Sequence, residues 1–160
     1  MWRRVQFWLI FLTVAVLGIS VGAMLGEQQT LVPFWMEMKP EAFYGWYAKN
    51  ASRLKGFFAP WQIAGAVLAL LSVISCRIQK HPGVLWFGAS TVFSFAVLAT
   101  FFLFFKEMNG SFVAQSIPAS KLPDALAQWS TWQWGRITVG FIAFCTALYG
   151  LSQHKESEHI

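Results

Sequence analysis

Four apolar stretches, Phe7 to Leu25, Phe57 to Cys76, Val84 to Phe105 and Ile137 to Leu151, contain no Asp, Glu, Lys, Arg or His. A helix needs roughly 20 mostly apolar residues to cross a hydrocarbon layer of about 30 Å. The first three stretches reach that length, and the fourth does so when extended back through Arg136 to Trp132. No water is available inside a bilayer, so each segment must satisfy its own backbone, and helices do this. The pattern predicts an all-α fold, a four-helix transmembrane bundle. Its spans are expected at about 7–25, 57–77, 84–105 and 132–151, with outer loops at about 26–56 and 106–131. With no internal repeat and no low-complexity linker, residues 1–160 read as a single integral membrane domain.

Composition points the same way. Apolar residues make up 56% and charged residues 12% of the chain, against roughly 45–50% and 25% in soluble domains. A small water-exposed domain has too little interior to hide that much apolar surface. The sixteen Phe and nine Trp suit a lipid-facing bundle with aromatic residues at both interfaces. A net charge of +5 invites comparison with nucleic-acid binders, but the basic residues form no stripe. Attraction to anionic headgroups explains the excess, and the lipid bilayer is the expected partner.

The first stretch follows Arg3 and Arg4 and ends near the small residues Val21, Gly22 and Ala23, as a secretory leader does. Its apolar core of 19 residues exceeds the roughly 7–15 of such leaders, which favours a retained span. Gly18, Gly22 and Gly26 lie at i, i+4 and i+8, a spacing that permits close helix packing within the bundle or between copies. Four spans put both termini on one side. Arg3 and Arg4 immediately before the first helix, and Arg77 and Lys80 in a short turn, assign that side to the cytoplasm. A multi-pass protein of a bacterial inner (plasma) membrane is the expected setting.

The two long loops carry structure of their own. Phe43, Trp46, Tyr47, Leu54, Phe57 and Phe58 recur near helical spacing behind Pro40 and Glu41. This reads as an amphipathic interfacial helix in the first outer loop, running into the second span. In the second loop, Asp124 opens a segment continuous with the last span. That helix is expected to be about 28 residues long, roughly 42 Å.

Polar residues near the membrane are few. Arg136 lies roughly 22 Å from Leu151 along its helix, inside the hydrocarbon near its outer edge. An intramembrane ionisable group is costly and marks a functional site; the alternative is a side chain that snorkels to the headgroups. Trp129, Gln133 and Arg136 share a helix face, and Trp132 is spaced to stack on the guanidinium. Asn109, at the outer end of the third helix, is the natural partner across the bundle. Together Asn109, Trp129, Trp132, Gln133 and Arg136 form a candidate ligand-binding cup with aromatic walls. Read singly, the tryptophans also fit an interfacial belt, and Asn109 fits a helix C-cap before Gly110.

These segments resemble the anthrone-oxygenase-like family of small four-helix membrane proteins. The resemblance is carried by Val32-Pro33-Phe34-Trp35-x-x-Met38-x-Pro40-x-x-Phe43-x-x-Trp46, by the Phe-rich run ending in Asn109, and by Trp129-x-x-Trp132-Gln133-Trp134-x-Arg136. It extends from Gly22 to about Leu151. The position of Gln133 is often His in the branch this chain resembles, so the stripe here lacks an acid–base group. The resemblance implies cofactor-independent insertion of oxygen at an activated CH₂ of a polycyclic phenol. Arg136 would then hold the developing anionic oxygen, Asn109 and Gln133 would orient phenolic or quinoid oxygens, and Trp129 and Trp132 would sandwich the rings. Glu107 is the best base the sequence offers to that scheme.

Other chemistry has less support. His81, His154 and His159 fall in cytoplasmic segments, so no pair is expected to ligate haem within the bundle, and no metal or cofactor is implied. Cys76 and Cys145 are single cysteines in apolar helices and read as small buried hydrophobes. The leading expectation is a membrane protein that binds or oxidises an aromatic or quinone-like lipophile at the outer end of the bundle. The alternative is an accessory or scaffold subunit of a membrane complex, as a homo-oligomer or with a protein partner. A transporter is a third class, without the interior carboxylates or broken helices that coupled transport uses.

Overall fold

The computed structural model describes residues 2–153. Four long helices account for nearly all of them: α1 (Trp2–Glu37), α2 (Pro40–Ile78), α3 (Val84–Val113) and α4 (Ala119–Ser152). Each is long and apolar enough to cross a membrane. The chain is therefore an all-α, multi-pass integral membrane protein. Successive helices pack side by side, and α1 closes the ring against α4. The Arg77–Gly83 turn and the ends of the described chain share one pole, here the proximal end. Residues 38–39 and 114–118 connect helices at the other, distal end.

The helices are longer than the expected spans, because charged residues mark where hydrocarbon stops and not where a helix stops. In α1 the chain passes Glu27 through a π-helical turn, Glu27–Leu31, with the Val32 N–H bonded to the Glu27 carbonyl. Pro33 follows directly. Proline cannot donate an amide hydrogen bond, and its ring crowds the carbonyl four residues back, so a widened turn ahead of it is physically apt. A second π turn, Phe101–Phe105, lies in α3.

Within the membrane, helices meet on small and hydroxylated residues. A Cβ on Gly65 would lie 2.9 Å from Leu17 Cδ2, and one on Gly140 would lie 3.0 Å from Met24 Cε. Thr13 and Ser72 hydroxyls are 2.8 Å apart across α1 and α2, and Ser90 donates to the Ala143 carbonyl at 2.8 Å. Lipid chains are as apolar as leucine, so close packing and such interhelical bonds hold the bundle together. The outward faces carry exposed Phe11, Ile19, Val67, Leu71, Val92, Phe95 and Phe141, as a lipid solvent requires.

The expected glycine face is only partly used. Gly18 packs on Phe144, where a Cβ would come within 3.2 Å of the ring, but Gly22 and Gly26 are exposed and face open space. A four-residue repeat drifts by roughly 40° per step on an α-helix, which carries the later glycines off the interface. Cys76 is buried as expected, whereas Cys145 is exposed on the bundle surface. His81 is buried in the proximal turn, where Nδ1 accepts the Gly83 N–H at 2.9 Å. His154 and His159 lie outside the described residues.

The distal segments are helical extensions of the bundle and not loops. Residues 40–56 form a helix, as their spacing predicts, but one that continues unbroken into the second span, giving 39 residues or roughly 58 Å. Its buried face, Phe43, Tyr44 and Tyr47, joins Trp35, Phe105, Phe112, Leu122, Leu126 and Trp129 in an aromatic core. The Tyr44 hydroxyl ties this face to the Ile117 carbonyl at 2.6 Å. The apolar periodicity of residues 40–56 therefore serves a folded cap above the spans.

Candidate functional site

Arg136 is buried, only 8% exposed, and its guanidinium turns inward. Gln62 on α2 accepts a hydrogen bond from Arg136 Nη2, and the guanidinium sits 4.7 Å from the centroid of the Phe105 ring on α3. Counted along their helices, Arg136 and Gln62 each lie roughly 24 Å from the proximal end, so they meet at one level. The guanidinium is thus held between the helices and not on the bundle surface.

One turn further out, Gln133 is fully buried, and its Nε2 donates to Glu27 Oε2 at 2.9 Å and to the Met24 carbonyl at 3.4 Å. Glu27 is itself buried, within electrostatic reach of Arg136. All four helices thus converge here: Glu27 from α1, Gln62 from α2, Phe105 from α3, and Gln133 with Arg136 from α4. The two π turns deliver Glu27 and Phe105, and π bulges often mark functional positions.

The remaining expected residues divide. Trp129 Nε1 donates to Asn109 Oδ1 at 2.9 Å, so the anticipated α3–α4 encounter is real but is made by Trp129. Asn109 is no C-cap, since its helix runs on to Val113. Trp129 is buried edge-on between Trp35 and Phe105, at centroid distances of 5.4 and 5.2 Å. Trp132 does not stack on Arg136. It is partly exposed and lies parallel to Phe104, with centroids 4.8 Å apart.

Beside this centre opens a cleft of about 860 Å³ between α2 and α3. Phe58, Ala59, Leu98 and Phe101 form its walls, Gln62, Arg136 and Glu27 its inner end, and Tyr47, Asn109 and Trp129 its distal end. Ile63 and Phe102 also line it and are exposed on the lipid-facing surface, so the cleft reaches the bilayer sideways. Lys55 and Lys106 flank the mouth. Gln62 Nε2 and Arg136 Nε are buried donors with no hydrogen-bond partner among the described residues. Leaving such groups unpaired costs about 1–3 kcal/mol each, more when charged. Glu27 and Gln62 escaped the sequence reading, although each left a signal. Glu27 abuts the first span, and Gln62 is an amide inside the second at the depth of Arg136.

No protein-family model matches the chain, and no curated protein or solved structure matches it. The likeness to the anthrone-oxygenase-like family rests on the sequence segments alone. What fold and site define is a four-span membrane protein with a buried polar centre and a side-opening apolar cleft.

Proposed function

We propose that this protein is of the anthrone-oxygenase-like type and binds a lipophilic aromatic or quinone-like molecule in the α2–α3 cleft. The observation that carries the reading is the pair of unpartnered donors, Gln62 Nε2 and Arg136 Nε, on residues that line an aromatic cleft reaching the lipid. The volume falls within the roughly 300–1,000 Å³ of small-molecule sites. A ring system leaving lipid gains little from the hydrophobic effect, because it was never in water. Affinity and orientation must then come from hydrogen bonds to an oxygen and from ring contacts. Arg136 and Gln62 hold a carbonyl or phenolate oxygen, Phe58 and Phe101 cover the rings, and Asn109 with Trp129 bounds the far edge. For the oxidation that the resemblance implies, Arg136 offsets the charge that develops on that oxygen. Residues Arg3, Arg4, Arg77 and Lys80 at the proximal end favour cytoplasmic termini in a bacterial plasma membrane, with the cleft in the outer half.

The test uses the full chain in phosphatidylcholine nanodiscs with 4-nitro-1-naphthol, whose naphtholate absorbs visible light. Saturable binding is expected for the native chain. Ala59→Trp, which fills the cleft from the α2 wall, is expected to weaken it about tenfold or more, a loss of roughly 1.4 kcal/mol. Equal binding by both chains, or none by the native one, would contradict the reading.

A further inference from the structure

Glu27 borders two cavities. It lines the inner end of the α2–α3 cleft, and it also lines a separate groove of about 480 Å³ between α1 and α2. Leu54 and Phe58 line both spaces and form the apolar partition between them. Its largely apolar lining also carries Thr30, Asn50 and exposed Arg53. Asn50 uses its amide nitrogen on the Trp46 carbonyl, at 2.8 Å, which leaves its oxygen as an acceptor. Glu27 thus stands where the lipid-side cleft and a second groove meet. Around it stand Arg136 and Gln133 from α4 and Tyr47 and Arg53 from α2, with Lys55 and Lys106 farther off at the cleft mouth.

We propose that Glu27 is the proton exit of the cleft: it takes the proton of a phenolic or hydroquinone hydroxyl bound beside Arg136 and passes it to water at the distal end through the α1–α2 groove. The proposal rests on the cleft reading above and narrows its ligand to a hydroxyl-bearing aromatic. The hydroxyl O–H bond breaks and its electron pair stays on the phenolate oxygen, opposite the Arg136 guanidinium. A new O–H bond forms on the Glu27 carboxylate, and this proton then leaves to groove water, restoring the carboxylate. No oxidant enters the step. Gln133, donating to Glu27 Oε2, holds the carboxylate in place and leaves its second oxygen for the transfer.

The experiment is a stopped-flow jump to higher pH on nanodisc-embedded protein saturated with 4-nitro-1-naphthol, following naphtholate absorbance of the bound probe. Glu27→Gln is expected to slow deprotonation about 100-fold, the usual scale for losing a positioned proton acceptor, and Glu27→Asp to recover part of the rate. Ala23→Phe provides a second handle, because Ala23 lines the groove and not the cleft. It is expected to slow the same step while the probe stays bound. Native rates in Glu27→Gln, or in Ala23→Phe, would overturn the proton role while leaving the cleft reading intact. Failure of the native chain to bind the probe would overturn both.

Discussion

Arg136→Leu is expected to weaken 4-nitro-1-naphthol binding by roughly 10- to 150-fold, with all four spans still inserted. The estimate follows from the solvent. In a bilayer the apolar rings supply little net driving force, so the hydrogen bond from a buried guanidinium, worth about 1.5–3 kcal/mol, dominates affinity. Leucine keeps the bulk against Phe105 but removes every donor, including the unpartnered Nε that faces no protein acceptor. Arg136→Lys separates charge from geometry. Lysine retains the cation but lacks the planar fork that engages Gln62 and an oxygen together. It is expected to fall between native and leucine chains in equilibrium titration of the probe. Equal affinity for native and leucine proteins would remove Arg136 from the site.

The second large effect is on stability. Gln133→Leu is expected to destabilise the bundle by about 2–3 kcal/mol, measured as the shift in unfolding free energy in mixed micelles. Gln133 is fully buried, and its amide donates to the buried Glu27 carboxylate. Leucine fits the space but leaves that acceptor without its hydrogen bond, and unmet desolvation of a charged group costs more than the bond itself contributes. The sign can be checked by adding Glu27→Leu. Glu27→Leu also strips the buried Arg136 of its nearby countercharge, so the double variant is expected to lose less than the sum of the two single losses without regaining native stability. Additive losses in the double variant would show that the two residues act independently.

The fold was legible because hydrocarbon imposes a single simple rule. Phe7 to Leu25 and its three counterparts had to be helices long enough to span a bilayer, and they are. What charge and hydropathy could not reveal is where each helix ends. Glu27, Lys49, Arg53, Lys106 and Asp124 lie in helices that continue well past the apolar stretches. Two consequences followed. The segments assigned to outer loops form a helical cap with its own aromatic core, and Glu27 sits inside the structure although its place in the sequence suggests a flanking loop.

The site was half legible. Arg136 and Gln133 stand out because a polar side chain in an apolar span needs a reason, and helical spacing places them one turn apart. Their partners lie 74 and 106 positions away in sequence, on other helices, and periodicity along α4 carries no information about them. The choice between Phe105 and Trp132 as the ring beneath the guanidinium was equally beyond reach of α-helical spacing. The π turn at Phe101–Phe105 changes the register of α3 just there. Phe105 turns toward Arg136, while Trp132 is left parallel to Phe104 on the partly exposed side. The glycine stripe misled for the opposite reason, since spacing alone says that residues share a face but not which face meets a neighbour.

The most direct test of the cleft as a ligand site is native mass spectrometry of the full chain released gently from its own membranes. A small aromatic adduct retained by the native protein and lost from Arg136→Leu is the expected result, and its mass would name the ligand. A bare chain, or one travelling only with a stoichiometric protein partner, would contradict the cleft's role and favour an accessory subunit.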